Sequence, residues 1–388
     1  MLNFDFYNPT RILFGKDRID EISNHIPSNA KVLITYGGGS AKKNGLIDKI
    51  KNALGKRIVL EFGGIEANPH FETLMKAVDI VRKENIDFLM AVGGGSVIDG
   101  TKFISIASYY KGNTENILKY GFSLIPKDAA EKYIPFGTVL TLPASGSEMN
   151  SGAVISHGDG KFPVLSEMAF PQFSLLDPAL TYTLPAIQAA NGIVDTFVHV
   201  TEQYLTYPVK GLLQDRIAEG ILLTLIEIGK TSVTEPENYD ARANHVWSSS
   251  LALCGIVGAG VPKDLATHII GHEITASFGI DHAQTLAVVL PSMLKIRKDK
   301  KKEKLLQYAE RVWNIKEVKD EDKIDKAIDK TREFFESLGI KTRLSKYGIK
   351  KEQIPLVIER LKEHGMAALS ETHDLTPDIS QKILEEAM

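Results

Sequence analysis

Two groups of residues in this chain have the types and spacing to do chemistry. The first is a pair of Gly-Gly-Gly-Ser stretches, Gly37–Ser40 and Gly93–Ser96. Glycines lack side chains, so their backbone N–H groups can approach a phosphate; a helix starting directly afterwards adds donors and a favourable dipole. The second group is a carboxylate with several imidazoles. Asp195 and His199 are spaced i, i+4, so on a helix they share one face and can hold one cation together. Further on, His268, His272 and His282 stand in the otherwise apolar segment Asp264–Leu290. On one continuous helix, His268 and His282 would lie about 21 Å apart, too far to share an ion. The chain must therefore turn back between them. Gly279-Ile280-Asp281 is where it is expected to do so, ending one helix and setting His282 at the start of the next.

One Asp oxygen with imidazole nitrogens makes a borderline donor set. It suits Fe²⁺, Zn²⁺, Ni²⁺ or Co²⁺ and does not suit Mg²⁺ or Ca²⁺; donor type does not select among the first four. His268 and His272 are themselves i, i+4 partners, so spacing leaves open which of them is the ligand. An Asp–His pair at this spacing is common on helix surfaces, and the weight of the reading falls on the dense histidine cluster.

Positioning such groups requires a scaffold, and the chain supplies two patterns. Short apolar runs at Lys31–Tyr36, Ile58–Phe62, Asp87–Val92 and Phe136–Leu142 read as buried strands separated by helical segments, and Phe173–Leu176 is strand-like where the first domain ends. That alternation predicts a parallel sheet covered by helices, the architecture that binds nucleotides at the carboxyl ends of its strands. Phe4–Phe14 alternates like an edge strand or hairpin. Two extended runs between Ala153 and Ser166 flank the turn signal His157-Gly158-Asp159-Gly160. After Leu184-Pro185 apolar residues recur at helical spacing almost to Met388. The fold expected is an α/β Rossmann-like nucleotide-binding domain over residues 1–183, followed by an all-α helical domain over 184–388. The apolar stretch Leu251–Val261 reads as a buried helix, and the charge run Lys298–Lys304 as a solvated helix face.

Each glycine stretch falls between a predicted strand and a predicted helix, which is where a phosphate turn belongs. Neither matches the usual dinucleotide or triphosphate fingerprint. Gly95 to Lys102 comes near the latter but places Thr101 before Lys102, the reverse of the order that a triphosphate and Mg²⁺ need. At the first turn a NAD-binding sheet often presents an acidic side chain to the adenosine ribose, whereas Gly39 and Ser40 present none. A 2'-phosphate fits there without repulsion, with Lys42 and Lys43 nearby. The cofactor expected is NADP(H).

Composition narrows the function classes. With 388 residues, two domains are the natural expectation. A formal net charge of -3 leaves no excess of Lys and Arg for a nucleic acid. Cys254 is the single cysteine, which excludes an intrachain disulfide or a site built of several thiolates. It lies in an apolar run with no adjacent cation, so packing is its expected role. Met1–Phe14 lacks the pattern of a signal peptide, and no apolar stretch approaches the roughly 20 residues of a membrane span. A cytoplasmic enzyme without membrane partners is expected. Glu202 and His245 carry no spacing argument here and are assigned no role.

On these residues the chain resembles the iron-containing, group III alcohol dehydrogenases, in the branch of NADPH-dependent aldehyde reductases and butanol dehydrogenases. The likeness covers nearly the whole chain. It rests on Gly93–Ser96 with Asp99, the stretch TVLTLPASGSEMN from Thr138 to Asn150, the SLLDPALTYTLP approach to Asp195, and the spacing of His268, His272 and His282. The resemblance implies metal ligands at Asp195, His199, His268 and His282, and leaves His272 as a non-ligand active-site histidine. It implies that Gly38, Ser40, Gly94, Gly95, Ser96, Asp99, Thr138, Thr141 and Asn150 line the cofactor site. Gly39 stands where NAD-preferring relatives carry aspartate, and Lys161 is the candidate for a 2'-phosphate contact. A dehydroquinate-synthase-like fold, a cleft holding metal and nicotinamide, and a homodimer are also implied.

The chemistry expected is hydride transfer from nicotinamide C4 to a small or medium aldehyde whose oxygen the metal polarises, the product being an alcohol. An imidazole ordinarily titrates near neutrality, so His272 is a candidate to relay the proton. A lyase or glycerol-1-phosphate dehydrogenase of the same fold would need anion-binding side chains. No Arg or Lys lies between His268 and His282. A non-catalytic NADP-binding protein would bind the coenzyme without turning it over.

Overall fold

The structure is a computed structural model that describes residues 1–316 and 319–388. The chain forms two compact units, Tyr7–Thr183 and Leu184–Met388, the latter joined by Met1–Phe6. The sequence pattern places those six residues in the first domain. They group instead with the second unit, where Leu2 N–H donates to Gly260 O at 2.9 Å.

In Tyr7–Thr183 the strands are β1 (Arg11–Phe14), β2 (Lys31–Tyr36), β3 (Ile58–Phe62), β4 (Phe88–Gly94), β5 (Phe136–Leu142), β6 (Gly152–His157), β7 (Gly160–Leu165) and β8 (Phe173–Leu176). Helices α1 (Ser40–Lys43), α2 (Leu46–Leu54), α3 (Phe71–Glu84) and α4 (Gly95–Ala107) alternate with them. Six strands form one sheet in the order β1-β8-β5-β4-β2-β3, every neighbouring pair parallel. The five strands read from the sequence all lie in it. β2, β4, β5 and β8 are largely buried, as a parallel sheet covered on both faces requires, whereas β3, expected to be buried, is an edge strand, with Ile58 exposed and the rest half-buried. β6 and β7 pair antiparallel across the expected turn, with His157 opposite Gly160.

Only Arg11–Phe14 of the expected edge strand Phe4–Phe14 is a strand. The residues before it are diverted: Pro9 has no N–H for a ladder, and Asn8 uses its side chain to bond Met149 O and Thr10 N. Sheet packing is tight where glycine permits it. A Cβ on Gly137 of β5 would overlap the Phe173 ring. Gly137→Ala is therefore expected to destabilise the protein by about 1–3 kcal/mol, read as a lower denaturant midpoint with an unchanged far-UV spectrum.

The elements of Leu184–Met388 are helices: α5 (Ala186–Tyr204), α6 (Leu212–Thr234), α7 (Tyr239–Ala252), α8 (Ala266–Phe278), α9 (His282–Ile296), α10 (Lys302–Arg311), α11 (Asp320–Ser337), α12 (Ile354–Glu363) and α13 (Pro377–Glu386). Among the described residues no helix is long and apolar enough to cross a membrane. Helix α5 is central. Every residue from Ala189 to Tyr204 is buried, although that span includes Asp195, His199, Glu202 and Gln203. Buried charge on this scale must be compensated within the unit.

Two expectations in this unit are corrected. Leu251–Val261 is not a helix, since α7 stops at Ala252 and turns follow. Gly255 and Gly260 there adopt φ of +99° and +68°, conformations outside any right-handed helix. Nor is Lys298–Lys304 uniformly solvated. Lys301 is buried, with Nζ 2.8 Å from Asp264 and 3.0 Å from Glu371, and buried Lys304 pairs with Asp215.

Candidate functional site

A shared ion requires the chain to turn back after His268, and it does. Helix α8 ends on Gly279 at φ +68°, and α9 begins at His282. The two helices pack closely because Gly271 has no side chain: a Cβ there would meet Thr285 Oγ1 at 2.9 Å and Leu286 at 3.0 Å. Thr285 Oγ1 donates to Gly271 O at 3.1 Å, and Asn191 of α5 donates to Asp281 Oδ2 at 3.0 Å, tying the start of α9 to both neighbours.

This packing gathers one carboxylate oxygen and three imidazoles. Asp195 Oδ1 lies 3.5 Å from His199 Nδ1, 3.6 Å from His268 Nε2 and 3.9 Å from His282 Nε2. The donor atoms of Asp195, His268 and His282 all fall within 4.8 Å of one another. Donors around a small tetrahedral ion stand about 3.4 Å apart, so the spacing is that of a cation site. The His199 ring stacks on His268 with centroids 4.3 Å apart. Asp195 Oδ1, His199 Nδ1 and His268 Nε2 are buried without a hydrogen bond. A buried carboxylate oxygen with two buried imidazole nitrogens about it at 3.5 and 3.6 Å, none of them hydrogen-bonded, fits an ion. The choice that spacing left open falls on His268: the His272 ring lies against His282, centroids 4.7 Å apart, and 6.3 Å from His268.

The electrostatics follow from crowding charges in a buried place. Burial disfavours the charged form of His268, but the carboxylates of Glu202 and Asp195 outweigh it and raise its pKa to about 10. His199 is driven down to about 4, mainly by burial; Asp195 opposes the shift and His268 adds to it. Burial pushes Asp195 up, yet His199 and His268 overcome it and hold the carboxyl below its ordinary value. The cluster thus favours one positive charge among its carboxylates, the electrostatic role a bound cation would take over.

Sequence reasoning passes over Glu202. Its carboxylate takes the N–H groups of Thr267 at 2.7 Å and His268 at 3.2 Å on Oε1, and contacts His268 Nδ1 through Oε2. The signal is present: Glu202 is three residues beyond His199 and seven beyond Asp195, on the same helix face. His245 is fully buried on α7, with a pKa lowered to about 3 by burial first and by Arg242 second. Cys254 is buried and bonds Leu251 O, as packing predicts.

In Tyr7–Thr183 the two glycine turns follow β2 and β4, which are neighbours in the sheet with Tyr36 opposite Val92. The turns are therefore adjacent at the carboxyl edge. At the second, β4 passes into α4 without an intervening loop, and no side chain caps the helix. Its first N–H groups are left for a ligand. Side chains are excluded by contact: a Cβ on Gly93 would lie 2.6 Å from Val97, on Gly94 3.0 Å from Leu142, and on Gly95 would overlap Ser145 Oγ. At the first turn Gly39 has φ +101° with open space around it. Ser40 starts α1, and Lys42 reaches back to Glu61 at 2.7 Å.

The remaining predicted cofactor residues divide. Ser96 Oγ accepts from Asn68 N at 3.2 Å, and Lys161 donates to Asn68 Oδ1 at 2.6 Å, which puts Lys161 beside the second turn. Asp99 accepts from Ser147 Oγ at 2.5 Å and from Val154 N at 2.9 Å. Asn150 accepts from Lys102 Nζ at 2.9 Å and donates to Gly146 O at 2.9 Å. Thr141 is partly exposed near the end of β5, whereas Thr138 is fully buried in mid-strand. Lys102 explains the near miss to a triphosphate loop. It is fully buried on α4, bonded to Ser147, Asn150 and Gly152 O, with a pKa lowered to about 8 by burial against the charges of Asp99 and Glu148.

Comparison with known proteins adds an independent line. Residues 9–178 match the family model for iron-containing alcohol dehydrogenase, and residues 189–387 match that for the C-terminal domain of the same family. The chain is 56% identical to the NADPH-dependent aldehyde reductase YqhD of Escherichia coli, covering 100% of both proteins. It is 37% identical to NADH-dependent butanol dehydrogenase A of Clostridium acetobutylicum, over 99% of this chain and 98% of that one. The crystal structure of E. coli YqhD superposes with a TM-score of 0.96 at 55% identity, over 100% of this chain and 99% of that one.

Proposed function

The chain belongs to the iron-containing alcohol dehydrogenase family, and from that premise we propose that it is a metal-dependent, NADP(H)-using alcohol dehydrogenase running mainly as an aldehyde reductase on small to medium aldehydes. The observation that carries the reading is the gathering of Asp195, His268 and His282 donor atoms within 4.8 Å of one another, with His199 Nδ1 3.5 Å from Asp195 Oδ1 and the Asp195, His199 and His268 donor atoms lacking hydrogen bonds. Relatives use both coenzymes, NADPH in the aldehyde reductase and NADH in the butanol dehydrogenase. The choice of NADP(H) is supported by Gly39, which offers no carboxylate to repel a 2'-phosphate.

When bound, the ion supplies Lewis-acid polarisation of the aldehyde carbonyl and the nicotinamide supplies the hydride. The protein's own work is positioning and proton handling. Asp195, His199, His268 and His282 hold the ion, and their donor types suit Fe²⁺, Zn²⁺, Ni²⁺ and Co²⁺ alike. Gly38, Gly39, Ser40, Gly94, Gly95, Ser96, Asp99, Thr141 and Asn150 form the coenzyme's seat, and Lys161 is the proposed contact for the 2'-phosphate. Buried Thr138 is retained as a support beneath that seat. His272 stands against His282 without joining the ligand group, and relays the proton that the product oxygen must gain.

The chain is also proposed to work in the cytoplasm as a homodimer. Met1, Leu2, Phe4 and Phe6 are exposed, as are Leu212 and Leu213, an apolar surface that a second copy would cover. Light scattering at micromolar concentration should give twice the chain mass.

The deciding experiment strips the protein with a chelator, reloads it with Fe²⁺ or Zn²⁺, and follows NADPH and NADH consumption with butyraldehyde. Turnover that requires the ion and prefers NADPH is expected. A reloaded protein that binds NADPH yet reduces no aldehyde in a broad panel would end the reductase reading.

A further inference from the structure

We infer that Glu202 is a positioning residue for the metal centre, its carboxylate deciding which nitrogen of His268 carries the proton and therefore which one faces the ion. The inference rests on the metal reading above. Glu202 lies on α5 with 2% exposure, two turns along the same face from Asp195. Its two oxygens are divided. Oε1 receives the backbone N–H groups of Thr267 and His268, which can only donate. Oε2 is left to His268 Nδ1. An ionised carboxylate can only accept, so Nδ1 must carry a proton, and Nε2, 3.6 Å from Asp195 Oδ1, is the nitrogen whose lone pair becomes available when an ion takes the place of its proton. One side chain thus sets the backbone where α8 begins, the orientation of the ring and its tautomer.

This division makes glutamine a more disruptive replacement than its shape implies. The amide introduced by Glu202→Gln has a single acceptor oxygen. If that oxygen keeps the two backbone N–H groups, the amide N–H₂ faces Nδ1, which must become an acceptor; the proton then moves to Nε2, between the imidazole and the ion. If the amide turns over, three donors confront one another at the start of α8. Alanine imposes neither tautomer and leaves room for water, so Glu202→Ala should weaken the ion less than Glu202→Gln. A residue that merely filled space would give the opposite order.

The test titrates metal-free wild type, Glu202→Gln and Glu202→Ala with Co²⁺ in competition with a chromophoric chelator, following the ligand-field absorption of the bound ion, with circular dichroism to confirm folding. Wild type should take up one Co²⁺, Glu202→Gln should bind it about 10–100-fold more weakly, and Glu202→Ala should lie between. Equal affinity and an unchanged spectrum in Glu202→Gln would overturn the inference while leaving the metal site standing. Failure of the wild type to bind Co²⁺ would overturn the metal reading and this inference with it. If Glu202→Gln does not fold, wild type loaded with Zn²⁺ and carrying ¹⁵N-labelled histidine decides the matter. The His268 signal, assigned by its loss in His268→Gln, should show a strongly downfield proton on Nδ1; Zn²⁺ on Nδ1 would refute the assignment.

Discussion

His268→Ala should leave the protein without its ion and lower aldehyde reduction by about a thousandfold or more, because Lewis-acid stabilisation of the developing alkoxide contributes several kcal/mol to the barrier. The substitution removes a donor from the centre of the cluster and strips Glu202 of its ring partner, leaving a buried carboxylate against two backbone N–H groups alone. His272→Ala should behave differently. Its ring lies against His282, whereas His199, His268 and His282 each bring a ring nitrogen within 3.9 Å of Asp195 Oδ1. It should retain a full equivalent of metal by elemental analysis while kcat falls by about 10²–10⁴, the range of a positioned acid or base. Metal loss in His272→Ala, or normal metal content in His268→Ala, would defeat this division of labour.

Gly39→Asp is expected to lower kcat/KM for NADPH by about a hundredfold, some 2.8 kcal/mol at 1.4 kcal/mol per decade, and to leave NADH use much less affected. Two effects operate at this position. The new carboxylate would repel the 2'-phosphate, and any L-residue at φ +101° is strained by about 1–3 kcal/mol. Space is not the obstacle, since nothing lies within 4 Å of a Cβ there. Gly39→Ala separates the terms, because backbone strain should reduce the use of both coenzymes alike. Charge repulsion should fall on NADPH alone. Equal losses with the two coenzymes in Gly39→Asp would show that strain dominates and remove Gly39 as the basis of coenzyme choice.

What the sequence determined by itself was local and periodic. Continuous apolar runs located five strands of the parallel sheet, four of them largely buried and β3 half-exposed at its edge, and the Gly-Gly-Gly-Ser turns announced themselves by lying between strand and helix. The break at Gly279 was legible because two histidines so far apart on one helix cannot reach a common ion, and Gly279 at φ +68° supplies the reversal. Tertiary packing decided the rest. Spacing made His268 and His272 equivalent; only the crossing of α5, α8 and α9, made close by Gly271, turns His268 toward Asp195 and His272 toward His282. By sequence Glu202 shares a helix face with Asp195 and His199 and nothing more; its role depends on α5 being buried on every side, a condition set by its neighbours. Likewise Lys301 and Lys304 sit in a run that reads as solvated, and only Asp264, Glu371 and Asp215 opposite them make their burial possible. Periodicity reports which face of an element is apolar; which groups meet across two elements depends on helix crossings and partner charges that lie far away in the chain.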